Sequence, residues 1–407
     1  MLRKVLPLLL AGSILLYGGC GNHTADSSQD YVSSGSAQPE ADRRETVGVW
    51  FSYLEYKGYC SEMDEEEFTA YVQNAVSNMN DLGINALYLH AVAFTDAIYD
   101  SAIYPRASYM SNTDYDPYAI FAAEAEKNGI AVHAWINPMR SVKVDEVQSL
   151  PEDFIIRRWI AKNDERVRQV GDRYYLNPAY PEVRQLICSV VSELMEKYHP
   201  AGIHMDDYFY PYETAKNFDA YIYSTAQEEN PSLTLEEFRT ANVDEMVKEL
   251  HDTVKAFDAD MEFGISPAGN IDNCISLLFG NPYHWVEQGT VDYLIPQIYW
   301  GYLHPVKPFE PTWQEWLQVK GSSDVRLMAG LAAYVIGARV SVSSDNEEAN
   351  LEWVNHDDMM ARQMETVFTQ GGDGVVFFSY SSLFSPDEET TEIVDNEILH
   401  IKNQLNR

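Results

Sequence analysis

The sequence predicts one α/β domain, a (β/α)8 TIM barrel with enlarged βα loops, preceded by a signal peptide and a flexible tether. Three observations carry that prediction. From residue 47 onward, eight short and mainly apolar runs alternate with helical patterns, as a parallel sheet covered on both faces requires, and eight strands close a barrel. No run leads into a Gly-rich phosphate-binding turn of the kind an open doubly wound sheet offers. The C-terminal ends of the runs are polar and aromatic while their bodies are apolar, which matches the functional face of a barrel.

The elements follow in order. Residues Val47 to Tyr53 read as the first strand, and Phe68, Val72, Ala75, Val76 and Met79 recur at helical spacing before a stop at Gly83. The second strand is Ile84 to His90. Asp116-Pro117 supplies an N-cap and a first-turn proline for a helix that ends at Asn128-Gly129. Ile130 to Ile136 is the third strand, and a helix opens at Pro181. Gly202 to Asp207 is the fourth strand, followed by a helix through Val243, Val247, Leu250, Val254 and Phe257. The fifth to eighth strands are Met261 to Ser266, Val291 to Tyr299, Arg326 to Ala333 and Gly374 to Tyr380. A last helix covers about Asp387 to Asn403.

Composition narrows the function. The 407 residues carry 28 Lys+Arg against 63 Asp+Glu, a formal net charge of -35. The chain has no basic run to offset this, so nucleic acid is excluded as a general partner. Hydrophobic residues at 45% and aromatics at 13% are ample for a large core. A neutral substrate, or one stripped of acidic attachments, suits such a surface better than a polyanion, unless the cleft itself is locally basic. Cys60, Cys188 and Cys274 are far apart and read as buried small hydrophobes.

Cys20 is different. A positive start, an apolar run from Val5 to Leu16, and Tyr17-Gly18-Gly19-Cys20 resemble a bacterial lipoprotein signal, in which that cysteine is lipidated. Tyr17 stands where such signals usually carry Leu. Residues 20–46 are polar and without period, a tether. The expected organisation is therefore a signal at 1–19, a tether at 20–46 and a barrel at 47–403. It implies a protein exported and lipid-anchored to the membrane outside the cytoplasm.

The strand ends give the candidate site: Trp50 and Ser52, His90, Trp135 and Asn137, Asp206 and Asp207, Ser266, Gln297 and Tyr299, Tyr334, and Ser379 with Tyr380. Adjacent carboxylates ending an apolar strand are unfavourable unless solvated, paired or used. Alternation places His204 and Asp206 on one face, with Asp207 on the other unless the strand end bends. The bland reading is a solvated loop with a capping Asp207. Against it stand Tyr208, Phe209, Tyr210 and Tyr212, whose rings suit a sugar platform better than such a loop. His90, His133 and His204 raise the possibility of a metal. The first strand has no His-x-His pair, and His133 and His204 sit below the strand ends, where hydrogen-bonded interior layers are the better reading. No metal and no cofactor is expected.

Taken together, Val47-Gly-Val-Trp50, His133-Ala-Trp-Ile-Asn-Pro138, Tyr175-Leu-Asn-Pro178, Gly202-Ile-His-Met-Asp-Asp-Tyr-Phe209, Phe263-Gly-Ile-Ser-Pro267 and Pro296-Gln-Ile-Tyr-Trp300 resemble the glycosyl-hydrolase-like 10 family. The resemblance covers about Arg44 to Asn403. It implies a glycoside hydrolase barrel in an exported or lipid-anchored protein, with some relatives linked to cleavage of cell-wall glycan. By analogy with related barrel glycosidases, it also implies that the acid ending strand four is a catalytic carboxylate. Asn137 stands where an acidic residue can occur in some relatives.

Glycoside cleavage needs one acid to protonate the leaving oxygen and a second carboxylate to attack or to activate water. On that requirement, Asp206 is expected as nucleophile or base and Asp207 as acid or orienting neighbour. Glu213 and Glu55 are loop alternatives for the second acid. Asn137, Gln297 and Tyr299 are expected to hold sugar hydroxyls; Trp50, Trp135 and Trp300 are expected to stack; His90 and Tyr208 complete the substrate surface. The partner is a polysaccharide or peptidoglycan glycan strand. The competing class is a membrane-tethered carbohydrate-binding protein with an inactive barrel.

Overall fold

A computed structural model describes residues Glu45 to Asn406, Glu213 excepted. The expected signal, Cys20 and most of the tether therefore lie outside the described residues. Among the described residues the strands are β1 Thr46–Phe51, β2 Ala86–Val92, β3 Ala131–Ile136, β4 Arg140–Lys143, β5 Val167–Val170, β6 Arg173–Leu176, β7 Gly202–Met205, β8 Glu262–Ile265, β9 Tyr293–Leu294, β10 Arg326–Leu331 and β11 Gly374–Phe377. Eight of these close a barrel in the order β1-β11-β10-β9-β8-β7-β3-β2, with parallel neighbours throughout. The predicted TIM barrel is thus the observed fold. Strands β4, β6 and β5 form a separate antiparallel sheet in the excursion after β3.

Local chemistry sets the helix ends. Asp116 accepts from the Ala119 N–H and Pro117 opens the helix Pro117–Lys127. The helix Glu65–Leu82 stops at Gly83, whose φ of 89° lies in the left-handed region that glycine tolerates. The helix Leu235–Phe257 begins with a capping box between Thr234 and Glu237.

Two cores result. Strand and helix side chains such as Val49, Leu87, Val132, Val191, Val247 and Phe263 fill the layer between barrel and helices. Inside the barrel, Trp50, Tyr88, Trp135, Tyr293, Ile295, Met328 and Val376 form the second. These rings are too large for a barrel lined only by branched side chains, and glycines make the room. A Cβ on Gly264 would lie 2.1 Å from the Tyr293 ring, and one on Gly330 would lie 3.0 Å from Trp50.

The structure departs from the predicted boundaries in three informative places. The fourth barrel strand stops at Met205 rather than Asp207. The sixth, expected over Val291 to Tyr299, shrinks to Tyr293–Leu294. Pro296 lacks the N–H that would continue the ladder, and only isolated bridges from Gln297 to Ala268 and Gly330 carry it on. The β4-β6-β5 sheet was not predicted. Its four-residue strands are too short for a period to show, and they carry Arg140, Lys143, Arg168 and Arg173. Of the three cysteines expected to be buried, Cys60 and Cys274 are, whereas Cys188 is half-buried.

Candidate active site

Because β7 ends at Met205, Asp206 and Asp207 escape the alternation that was expected to send Asp207 to the opposite face. Both are buried, at 4% and 6% exposure, and both belong to the C-terminal mouth. Asp206 Oδ2 accepts from Trp135 Nε1 at 3.2 Å and Asn137 Nδ2 at 3.3 Å, and its Oδ1 accepts from the Tyr208 N–H at 3.4 Å. Asp207 accepts from the Tyr212 hydroxyl at 2.9 Å; the Gln297 amide, which donates to the Ser266 carbonyl at 2.9 Å, also favours its charged form. Neighbours in sequence, the two carboxyls have separate partner sets.

Their electrostatics also differ. Burial, and then the charge of Asp207, push Asp206 up to about 8, against the pull of Arg140 and of the Tyr208 and Trp135 N–H groups. Burial raises Asp207 as well, while hydrogen bonds from Tyr212 and Gln297 hold it down. Two like charges in one dry site cannot both ionise freely, so one proton is retained near neutral pH.

Several residues expected on the substrate surface support this pair instead. Trp135 is buried, and its ring stacks on His90 with centroids 3.8 Å apart and planes 13° apart. His90 is itself buried, accepts from the Tyr53 N–H at 3.2 Å, and is held neutral by burial and Arg140, its pKa lowered to about 3. Asn137 is 1% exposed; its Oδ1 accepts from the Arg140 N–H while its amide holds Asp206. Trp135 and Asn137 thus spend their polar groups on Asp206, whereas His90 braces the Trp135 ring and keeps a buried Nε2 with no partner among the described residues.

Trp50 is likewise not a stacking surface. It lies inside the barrel, and its Nε1 donates to His204 Nε2 at 3.1 Å. A neutral His204 accepting there carries its proton on Nδ1, which faces the Tyr293 hydroxyl at 3.3 Å; that hydroxyl in turn lies 3.0 Å from His133 Nδ1. His133 and His204 form the interior layer expected of them. Trp300 is half-buried against Gly269 and the His304 ring.

Of the four aromatics after the acid pair, Phe209 and Tyr210 are buried against Trp285, Phe218 and Phe279. Only Tyr208 and Tyr212 belong to the mouth. Across from them, Tyr299 packs edge-on to Tyr334, and both pack on Phe378. Tyr334 is 47% exposed, and burial together with the fields of Tyr334 and the two aspartates raises the Tyr299 hydroxyl. This half-open ring cluster is the surface a sugar could meet.

Of the loop acids, Glu213 lies outside the described residues. Glu55 is buried rather than solvated. Its Oε2 accepts from the Ser52 N–H and hydroxyl, and its Oε1 from the Ser379 hydroxyl and the Ser381 N–H and hydroxyl. It ties the end of β1 to the end of β11.

Sequence reasoning missed the cation of the site. Arg140 opens β4, and its guanidinium carbon lies 4.2 Å from the Tyr208 ring centroid and 4.9 Å from that of Phe94. Arg173 lies 4.1 Å over the same Phe94 ring. Their signal was present in His133-Ala-Trp-Ile-Asn-Pro138, since the chain reaches Arg140 only two residues beyond that motif.

A closed parallel barrel with its polar constellation at the C-terminal mouth places the protein in the TIM-barrel class. The chain belongs to the Glycosyl hydrolase-like 10 family, whose profile matches residues 47–348. It is 28% identical over 332 residues to glycosyl hydrolase YngK of Bacillus subtilis (strain 168), covering 74% of this chain and 62% of that protein's length. To glycosyl hydrolase DigH of Escherichia coli (strain K12) it is 27% identical over 385 residues, covering 83% and 85%. Among solved structures it resembles the PgaB (BpsB) glycoside hydrolase domain of Bordetella bronchiseptica, with a TM-score of 0.58 and 15% identity, covering 87% of this chain and 98% of that one. The last likeness is one of fold. Family membership supports a glycosidase function.

Proposed function

We propose that this protein is an exported, Cys20-anchored glycoside hydrolase that cleaves O-glycosidic bonds in a polysaccharide of the bacterial cell envelope. In this reading residues 1–19 are the signal, 20–46 the tether and 47–403 the catalytic barrel. The observation that carries the activity is the buried pair Asp206 and Asp207, adjacent yet held by different partners, one of which keeps its proton near neutrality.

The electrostatics favour reversing the roles expected from sequence. Asp206, pushed up to about 8, is the general acid: it gives its proton to the glycosidic oxygen as the bond from that oxygen to the anomeric carbon breaks. Asp207, held by Tyr212 and Gln297, is the carboxylate. It stabilises the positive charge developing at the anomeric carbon and either adds there or takes a proton from attacking water. Trp135, Asn137 and His90 fix the acid; Tyr208, Tyr212, Tyr299 and Tyr334 bound the sugar.

Replacing Asp206 and Asp207 singly with Asn and assaying cleavage of purified cell-wall glycan strands tests the reading. Each variant should lose about 10²-fold or more in kcat. Undiminished product release by both variants contradicts the chemistry. A wild-type protein that binds these strands and cleaves no glycan is instead a tethered binding module.

A further inference from the structure

Resting on that reading of the mouth, we propose that Arg140, backed by Arg173, is a carboxylate-binding subsite beside Asp206, and that the glycan cleaved here carries a carboxylate on the sugar seated there.

The argument starts from charge accounting. The chain has 63 acidic and 28 basic side chains, so a guanidinium has acids in excess to pair with. Arg166, Arg168, Arg184, Arg239 and Arg326 each hold a carboxylate within ion-pair distance. Arg140 does not. Among the described residues its guanidinium donates no hydrogen bond, and its Nε is buried without a partner. Arg173, 9% exposed, donates to the Ser141 carbonyl and meets no carboxylate among the described residues.

The two are also held in opposition. Each lies over the Phe94 ring, and burial, followed by the like charge of Arg140, lowers Arg173. Aromatic faces hold a guanidinium in place without using its N–H groups. Among the described residues the Arg140 guanidinium is thus a fork that meets no acceptor, in a mouth it shares with Asp206 and Asp207.

The acceptor we assign to it is a group of the substrate. A guanidinium fork matches a carboxylate in a bidentate manner. A carboxylate also brings a single negative charge, whereas a phosphomonoester would set two against Asp206 and Asp207. The same geometry supplies the local basicity that the overall charge of -35 would otherwise deny an acidic glycan.

The test compares bacterial cell-wall glycan strands with the same strands after carbodiimide activation and borohydride reduction of their carboxyls to alcohols. A second arm treats polyuronate oligosaccharides identically, separating an ether-linked acid from a uronic acid. In at least one arm the wild type should prefer the native form about tenfold or more in kcat/KM, mainly through KM. In Arg140→Gln that ratio should fall towards one, and in Arg140→Lys it should be intermediate.

Equal handling of native and reduced glycans by the wild type overturns the subsite. So does a preference that Arg140→Gln leaves intact, or an equal loss on both forms with a shifted pH profile, which would make Arg140 a tuner of the acid pair. If the wild type cleaves neither glycan, the hydrolase reading fails separately. Calorimetric binding then decides the subsite: Arg140-dependent preference for the native form upholds it, and no preference overturns it.

Discussion

The indole N–H of Trp135 donates to Oδ2 of Asp206 at 3.2 Å, so the ring that sequence suggests as a sugar platform is a hydrogen-bond donor to the proposed acid. Trp135→Phe keeps the stack on His90 and deletes the donor. The N–H favours the charged carboxylate, so its loss raises the Asp206 pKa further. The alkaline limb of the kcat/KM profile should move to higher pH, with roughly tenfold lower activity. Steady-state rates from pH 5 to 10 measure both. An unmoved limb would separate Trp135 from the acid.

Asp206→Asn should inactivate the protein and stabilise it. The folded pKa of about 8 lies above the unfolded value of 3.8. The unfolded chain therefore ionises first as pH rises, and stability is lost from about pH 4 up to about pH 8. Removing the titration should raise stability at pH 8 by about 1–3 kcal/mol, a few degrees in Tm. At pH 4 the gain should be near zero. Calorimetric scans at both pH values check the sign.

Glu397 offers the same linkage far from the mouth. Buried on the helix Thr391–Leu405, it accepts from the Ala361 N–H at 3.0 Å, while its Oε2 has no partner. Burial raises its pKa from 4.5 to about 7, so its stabilising share is full below pH 4.5 and lost as pH rises through 7. Glu397→Gln should raise Tm at pH 8 and leave it unchanged at pH 4, with no change in the pH profile of activity.

Glu55→Ala should act as a fold mutation. It strands the Ser52, Ser379 and Ser381 donors in a buried site and should cost about 2–4 kcal/mol. Denaturant titration gives the loss. If Glu55 were the second catalytic acid, Glu55→Gln would instead lower kcat by orders of magnitude with little loss of stability.

The barrel was legible because its strands are apolar runs between capped helices, and Asp206-Asp207 was legible because two charges end such a run. The roles of the aromatic residues were not. Trp50, Trp135, Tyr208 and Phe209 look alike in a sequence, yet one is interior filling, one holds an acid, one lies under Arg140 and one is core. What separates them is where β1, β3 and β7 set each ring relative to the mouth, and a strand end moves by a residue or two without any change in composition. Arg140 escaped notice for a related reason: an arginine is informative only once its missing partner is known, and pairing is a property of the folded chain.

The interior layer beneath the mouth carries one more consequence. The hydrogen bonds that run down from the strand ends begin at Trp50, which donates to His204, and Asp206 touches the wall through Trp135. An indole N–H donates and has no lone pair with which to accept. A proton can hop along a chain only where each link both receives and passes it on, and neither tryptophan can receive. The histidine–tyrosine stack inside the barrel is therefore an insulator, not a conduit. On the proposed reading, the proton of Asp206 then leaves through the mouth, by way of the leaving group or the water that replaces it.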